Sequence, residues 1–132
     1  MQNLIDDMVA CHSSFTADAD KTILIVDDEP IVADALAMVF REKGYRTILA
    51  YDGESAVGVS RVTPPDILLT DVVMPGMDGI RLARHFHQHL PATRIVLLSG
   101  IAGCASIDLG FEATVLAKPI YPADLIREIE QA

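Results

Sequence analysis

The stretch Ile67-Leu68-Leu69-Thr70-Asp71-Val72-Val73-Met74-Pro75-Gly76-Met77-Asp78-Gly79 constrains this chain more than any other. A run of β-forming residues leads straight into the carboxylate of Asp71. Apolar side chains at consecutive rather than alternate positions point to a strand covered on both faces, as in a parallel sheet. A loop with Pro75, Gly76 and Gly79 follows, and a helical pattern then begins. A carboxylate at the end of a buried strand is costly unless something binds it. In an open α/β sheet the crevice outside the carboxyl ends of the strands is where ligands sit. What else the chain sends to that edge therefore bears directly on what it does.

The same pattern recurs along the chain. Thr22 to Val26 is a short apolar run that ends in Asp27-Asp28-Glu29. Pro30 then opens a helix, where its missing N–H costs nothing. Val32, Ala35, Leu36, Val39 and Phe40 follow at helical spacing and predict one apolar face, and Gly44 stops the helix. Tyr45 to Ala50 is a second strand, Asp52-Gly53 a turn, and Glu54 to Arg61 a helix weakened by Gly58 and closed by Pro64-Pro65. The third strand ends at Asp71, and the helix from Asp78 to Leu90 turns Leu82, Ala83, Phe86 and Leu90 inward. Ile95 to Ser99 is a fourth strand, and Gly100 to Gly110 holds a short, poorly defined helix. Ala113 to Ala117 is a fifth strand ending in Lys118-Pro119, and Pro122 to Gln131 a last helix with Leu125, Ile126 and Ile129 apolar.

Strands alternating with helices predict an α/β domain: a three-layer, doubly wound parallel sheet. Right-handed crossovers restrict its topology, and the expected strand order is 2-1-3-4-5, with the first and third strands adjacent at the switch point. The fourth helix is expected to be short or irregular. Residues 21–132 form this domain, and residues 1–20 are expected to be a flexible N-terminal extension, polar apart from Leu4, Ile5, Met8 and Val9.

The formal net charge of −9 argues against direct nucleic-acid or anionic-membrane binding, since both need a basic face. Cys11 and Cys104 form no metal-like pair and read as reduced thiols in a cytoplasmic protein. No apolar run approaches the ~20 residues that span a bilayer, and no secretory signal is visible.

Four strand ends carry polar groups to one edge: Asp27 and Asp28, Asp71, Ser99 and Lys118. Three carboxylates at close range repel and raise one another's pKa values, unless a divalent cation sits among them. Oxygen ligands select a hard ion, Mg²⁺ or Mn²⁺. Lys118 supplies a compact cation and Ser99 a hydroxyl, both suited to phosphoryl oxygens. Asp71 is then placed to act as a nucleophile towards phosphorus, giving an aspartyl phosphate.

These pieces, Ile-Leu-Ile-Val-Asp27-Asp28-Glu29, Leu-Leu-Thr-Asp71-Val-Val-Met-Pro-Gly-Met-Asp-Gly79, Val-Leu-Leu-Ser99-Gly100 and Leu-Ala-Lys118-Pro119, occur in this order in the chain. From Lys21 to Ala132 it resembles a response regulator receiver domain of two-component signalling, a CheY-like fold. The resemblance implies that Asp71 is the phosphoacceptor, taking its phosphoryl group from a histidine kinase or histidine phosphotransfer protein. It implies that Asp28, Asp71 and the Val73 backbone carbonyl ligate Mg²⁺ directly, with Asp27 acting through water. Ser99 and Lys118 would bind the phosphoryl group, and the Lys118–Pro119 peptide would be cis. Catalysis would be limited to the domain's own phosphorylation and dephosphorylation. The output partner stays open, as does homodimerisation.

The chain departs from the family in four places. Val115 stands where an aromatic ring is usual, three residues before the lysine. Ser99 replaces the commoner threonine, and Ile101 stands where a polar residue often guides water, which predicts slow unassisted dephosphorylation. The segment from Ser99 to Lys118 is about three residues short, close to one helical turn. Val115 and the shortened segment favour an alternative, a degenerate receiver acting as a phosphorylation-independent interaction module, which the intact acid–hydroxyl–lysine set opposes. A flavin- or nucleotide-binding enzyme of the same architecture would need a phosphate loop where Asp27-Asp28-Glu29-Pro30 stands. A haloacid-dehalogenase-like phosphatase would need a second Asp at position 29, which is Glu. Of His85, His87 and His89, two share a helix face, but no third ligand is apparent, so a solvated face is the better reading.

Overall fold

The computed structural model describes residues 20–100 and 109–131. The elements are β1 (Thr22–Val26), α1 (Pro30–Glu42), β2 (Arg46–Ala50), α2 (Gly53–Val62), β3 (Ile67–Asp71), α3 (Gly79–His89), β4 (Arg94–Ser99), β5 (Thr114–Ala117) and α4 (Pro122–Glu130). All strand pairs are parallel, in the order β2-β1-β3-β4-β5. This is the expected order. The helix expected between Gly100 and Gly110 falls largely on residues 101–108, outside the described residues, as does the extension before Asp20.

The continuous apolar runs explain the layers. Successive strand residues face opposite sides. Leu24, Val26, Leu68, Ile95 and Leu97 join Ala56, Val57, Leu82, Ala83 and Phe86 in one core, against α2 and α3. Ile23, Ile25, Ile67, Leu69, Val96 and Leu98 join Ala37, Phe40, Leu125, Ile126 and Ile129 in the other, against α1 and α4. Phe40 and Phe86 are fully buried, each contributing about 1.5–3 kcal/mol on the usual scale for such a side chain. Arg94 of β4 donates hydrogen bonds to the Ile129 and Glu128 carbonyls, which secures the last turn of α4.

One helix face differs from expectation. In α1 the fully buried residues are Ala33, Ala37 and Phe40, with Leu36 and Val39 partly buried beside them, while Ala35 is exposed. The two alanines lie one turn apart and let the helix backbone approach the sheet.

The starts of α2 and α3 are fixed by side chains. Asp52 accepts a hydrogen bond from Ser55 N–H (2.7 Å) and Asp78 one from Arg81 N–H (2.8 Å). The β3–α3 loop turns through Gly76, whose φ of +74° suits glycine. At Gly79 the helix comes so close to β3 that a Cβ would collide with the Asp71 carbonyl oxygen and stand 2.9 Å from Val72 Cα. Gly58, by contrast, is exposed inside α2 with open space around it. Gly58→Ala is therefore expected to raise stability by about 0.5–1 kcal/mol through helix propensity. Gly79→Ala should lower it by about 1–3 kcal/mol through overpacking. Urea denaturation of both variants checks the opposite signs.

Candidate functional site

The register carries each sequence-predicted residue to the carboxyl edge. Val26 pairs with Thr70, so Asp27 and Asp71 are the next residues on adjacent strands. Asp71 pairs with Leu98, which places Ser99 one step further on. Ser99 pairs with Ala117, and Lys118 follows. Hydrogen bonds extend this edge past the strands: Asp27 N–H to Ala50 O, Val72 N–H to Leu98 O, and Lys118 N–H to Ser99 O (2.7 Å). The Lys118–Pro119 peptide is cis, as the resemblance implies.

Carboxylate oxygens of Asp27, Asp28 and Asp71 lie within 4.8 Å of one another. The Lys118 ammonium stands 3.2 Å from Asp71 Oδ1 and 3.7 Å from Asp27 Oδ2. Asp27 is 2% exposed. Its Oδ1 accepts the Glu29 N–H at 2.9 Å, which also fixes the turn into α1. Burial raises the Asp27 pKa; the Glu29 N–H and Lys118 lower it, and the charges of Asp71 and Asp28 raise it again, with a net upward shift. Asp71 is less enclosed, with its side chain 14% exposed, and Val72 N–H donates to its Oδ1 at 3.0 Å. Ser99 is buried at the same edge, and its carbonyl is tied to Lys118. Val73 lies in the loop beyond Val72 with its side chain exposed.

The arrangement suits a hard divalent ion. All three side-chain donors are carboxylate oxygens, and among the described residues a single ammonium, that of Lys118, faces them. The raised pKa of Asp27 comes first from burial, which penalises its charged form, and then from the neighbouring Asp71 and Asp28 charges; a dication would offset both. The carboxylates and the lysine thus meet as the chain pattern predicted. Two supporting features did not show in it. Thr70 Oγ1 donates to the Asp71 carbonyl at 2.9 Å, and Gly79 makes the close approach that seats α3 against the same residue. The only signal of the second was the Asp78-Gly79 pair at a helix entry.

His87 stacks on Phe111, with ring centroids 4.4 Å apart and planes 9° apart. His85 and His89 turn the other way and meet each other. Val115, at the position where a ring is usual, packs partly buried against the α2–α3 core.

Comparison with known proteins agrees with this geometry. The model of the response regulator receiver domain matches residues 23–130. The response regulator receiver protein CpdR of Brucella abortus is 36% identical over 114 residues, covering 84% of this chain and 95% of CpdR. The DNA-binding response regulator MtrA of Mycolicibacterium smegmatis is 33% identical over 110 residues, which cover 81% of this chain but only 48% of MtrA. The crystal structure of TrrA from Thermotoga maritima, in complex with Mg²⁺-BeF, superimposes with a TM-score of 0.77 at 27% identity, covering 84% of this chain and 97% of TrrA. The chain belongs to the response regulator receiver family of two-component signalling.

Proposed function

We propose that this domain is a Mg²⁺-dependent phosphoacceptor switch, with Asp71 as the residue phosphorylated. The observation that carries the proposal is the convergence of Asp27, Asp28 and Asp71 on one edge with the Lys118 ammonium 3.2 Å from Asp71. Asp28, Asp71 and the Val73 carbonyl would hold the ion, with Asp27 acting through water; Mn²⁺ would serve as well. Bound there, the ion would neutralise charge on the transferring phosphoryl group.

The residues of the chain do the rest. A carboxylate oxygen of Asp71 attacks phosphorus in line with the P–N bond of a phosphohistidine. A P–O bond forms, the P–N bond breaks, and the imidazole nitrogen leaves with the electron pair and takes up a proton. Lys118 draws off charge from the phosphoryl oxygens, and the Ser99 hydroxyl donates a hydrogen bond to another. The donor is a histidine kinase or a histidine phosphotransfer protein. Ile31 and Val73, 85% and 59% exposed, offer apolar contact beside the carboxylates for such a partner. Catalysis extends to the domain's own phosphorylation and dephosphorylation only. The TrrA complex supports the reading, because its domain holds Mg²⁺ with a beryllofluoride group. Val115 alone among the described residues leans towards a module that ignores phosphorylation, and the intact set of carboxylates, hydroxyl and lysine weighs against it. No described helix is long and apolar enough to cross a membrane.

Acetyl phosphate with Mg²⁺ should add one phosphoryl group to the wild type, seen by intact mass, and none to Asp71→Asn. A wild type that stays unmodified under these conditions would end the proposal. The excess negative charge makes a second prediction. Asp27→Asn keeps an acceptor for the Glu29 N–H but removes one buried charge, so without metal it should raise Tm by about 4–8 °C per kcal/mol relieved. The rise in wild-type Tm on adding Mg²⁺ should be smaller in that variant, and thermal melts with and without Mg²⁺ measure both.

A further inference from the structure

The far end of α3 carries a group of side chains that the phosphoacceptor site does not use. His85 and His89 are one turn apart, with ring centroids 4.4 Å apart and planes tilted by 37°. They line a recess of about 310 Å³ together with Ser60, Arg61 and Leu90. His85 is half-buried there, edge-on to Phe86, while His89 is exposed. His87 points elsewhere and is taken up by its stack on Phe111.

We propose that His85 and His89 form a two-histidine clip for a borderline transition-metal ion, of the Zn²⁺, Ni²⁺ or Cu²⁺ class, separate from the carboxylate cluster. Histidines at i and i+4 on one helix face can bind a single ion, as they do in helical zinc motifs. Bringing both rings together normally costs side-chain entropy. Here the recess already holds them in contact, so less remains to be lost on binding. Ser60 is not a competing donor, since its hydroxyl is committed to the Val57 carbonyl at 2.7 Å. Among the described residues the three aspartates are the only cluster of three ligating side chains, so water completes the coordination at the histidines.

Ligand chemistry separates the two sites. Imidazole suits Zn²⁺, Ni²⁺ and Cu²⁺, whereas carboxylates and water suit Mg²⁺. Arg61 opposes the clip, because its guanidinium acts on His85 as a neighbouring positive charge. It is exposed and can swing into solvent, so it weakens the site without blocking it.

The test is titration of the full chain with Ni²⁺ by calorimetry, in saturating Mg²⁺ so that the carboxylates are filled. One site should appear that weakens about tenfold or more in His85→Gln and in His89→Gln. It should persist in His87→Gln and tighten in Arg61→Gln. His89 is exposed, so its variant should fold even if His85→Gln does not. Substoichiometric Cu²⁺ should broaden the amide NMR signals of the last turn of α3 and of Ser60 and Arg61 before others. Binding that His89→Gln leaves unchanged, broadening centred elsewhere, or no binding at millimolar Ni²⁺ would overturn the proposal.

Discussion

Negative charge held at a buried sheet edge is the constraint around which this domain is built. Asp27 is almost wholly enclosed, Asp28 and Asp71 stand within reach of it, and among the described residues only the Lys118 ammonium faces Asp27 and Asp71. One cation cannot balance three carboxylates. Relaxing the edge would ease the repulsion, yet the register prevents it. Asp27 and Asp71 each follow directly on a buried strand residue, Val26 and Thr70, and ladder hydrogen bonds continue past Val26, Asp71 and Ala117. Cores are close-packed and yield little. The fold thus maintains a local charge that favours neither its own stability nor an empty site, the usual trade between stability and function.

The loops show how closely that edge is specified. The turn after β1 is fixed by Asp27 itself, which spends one oxygen on the Glu29 N–H and keeps the other towards Lys118. The loop after β3 is held at both ends. Gly79 N–H donates to the Val72 carbonyl at 2.8 Å, and Met77 lies against Gly53 at the start of α2, where any Cβ would stand 2.8 Å from the Met77 Cβ. Asp71 therefore sits between a rigid strand and a loop seated on two helices. Such support holds the Asp71 carboxylate in a fixed position.

The strand ends were legible in the sequence because a hydrophobic run that stops at an acid, a hydroxyl or a lysine is a one-dimensional signal. The face of α1 was not. Ile31, Val32, Ala33, Ala35, Leu36, Ala37, Met38, Val39 and Phe40 are apolar on nearly every side of the helix, so periodicity cannot set its rotation. Packing sets it, by choosing Ala33 and Ala37 for the close approach and leaving Ile31 and Met38 exposed. The histidines illustrate the same limit. Alternation along α3 shows that His85 and His89 share a face, but not that the recess beside Ser60 and Arg61 brings their rings together. Nor does it show that His87 is occupied by Phe111, which belongs to a segment 24 positions further on.

Helix α3 joins these two regions. Its first residue, Gly79, rests on the backbone of Asp71 and Val72, and its eleven residues extend about 16 Å to His89. Leu82, Ala83 and Phe86 are fully buried along that length, so the helix is anchored throughout rather than at one end. A rod fixed in this way cannot shift at one terminus without disturbing the core contacts between. The carboxylate edge and the imidazole pair thus differ in ligand chemistry, hard oxygen against imidazole nitrogen, yet mechanically they share one element. What ties either of them to β5 is different in kind. With Val115 in place of a ring, the described connection from Asp71 to β5 is the Lys118 side chain and the hydrogen bond from its backbone N–H to Ser99. The ammonium that pairs with Asp71 thus belongs to the residue that closes the β4–β5 ladder, so the carboxylate and the ladder meet in one side chain and its backbone.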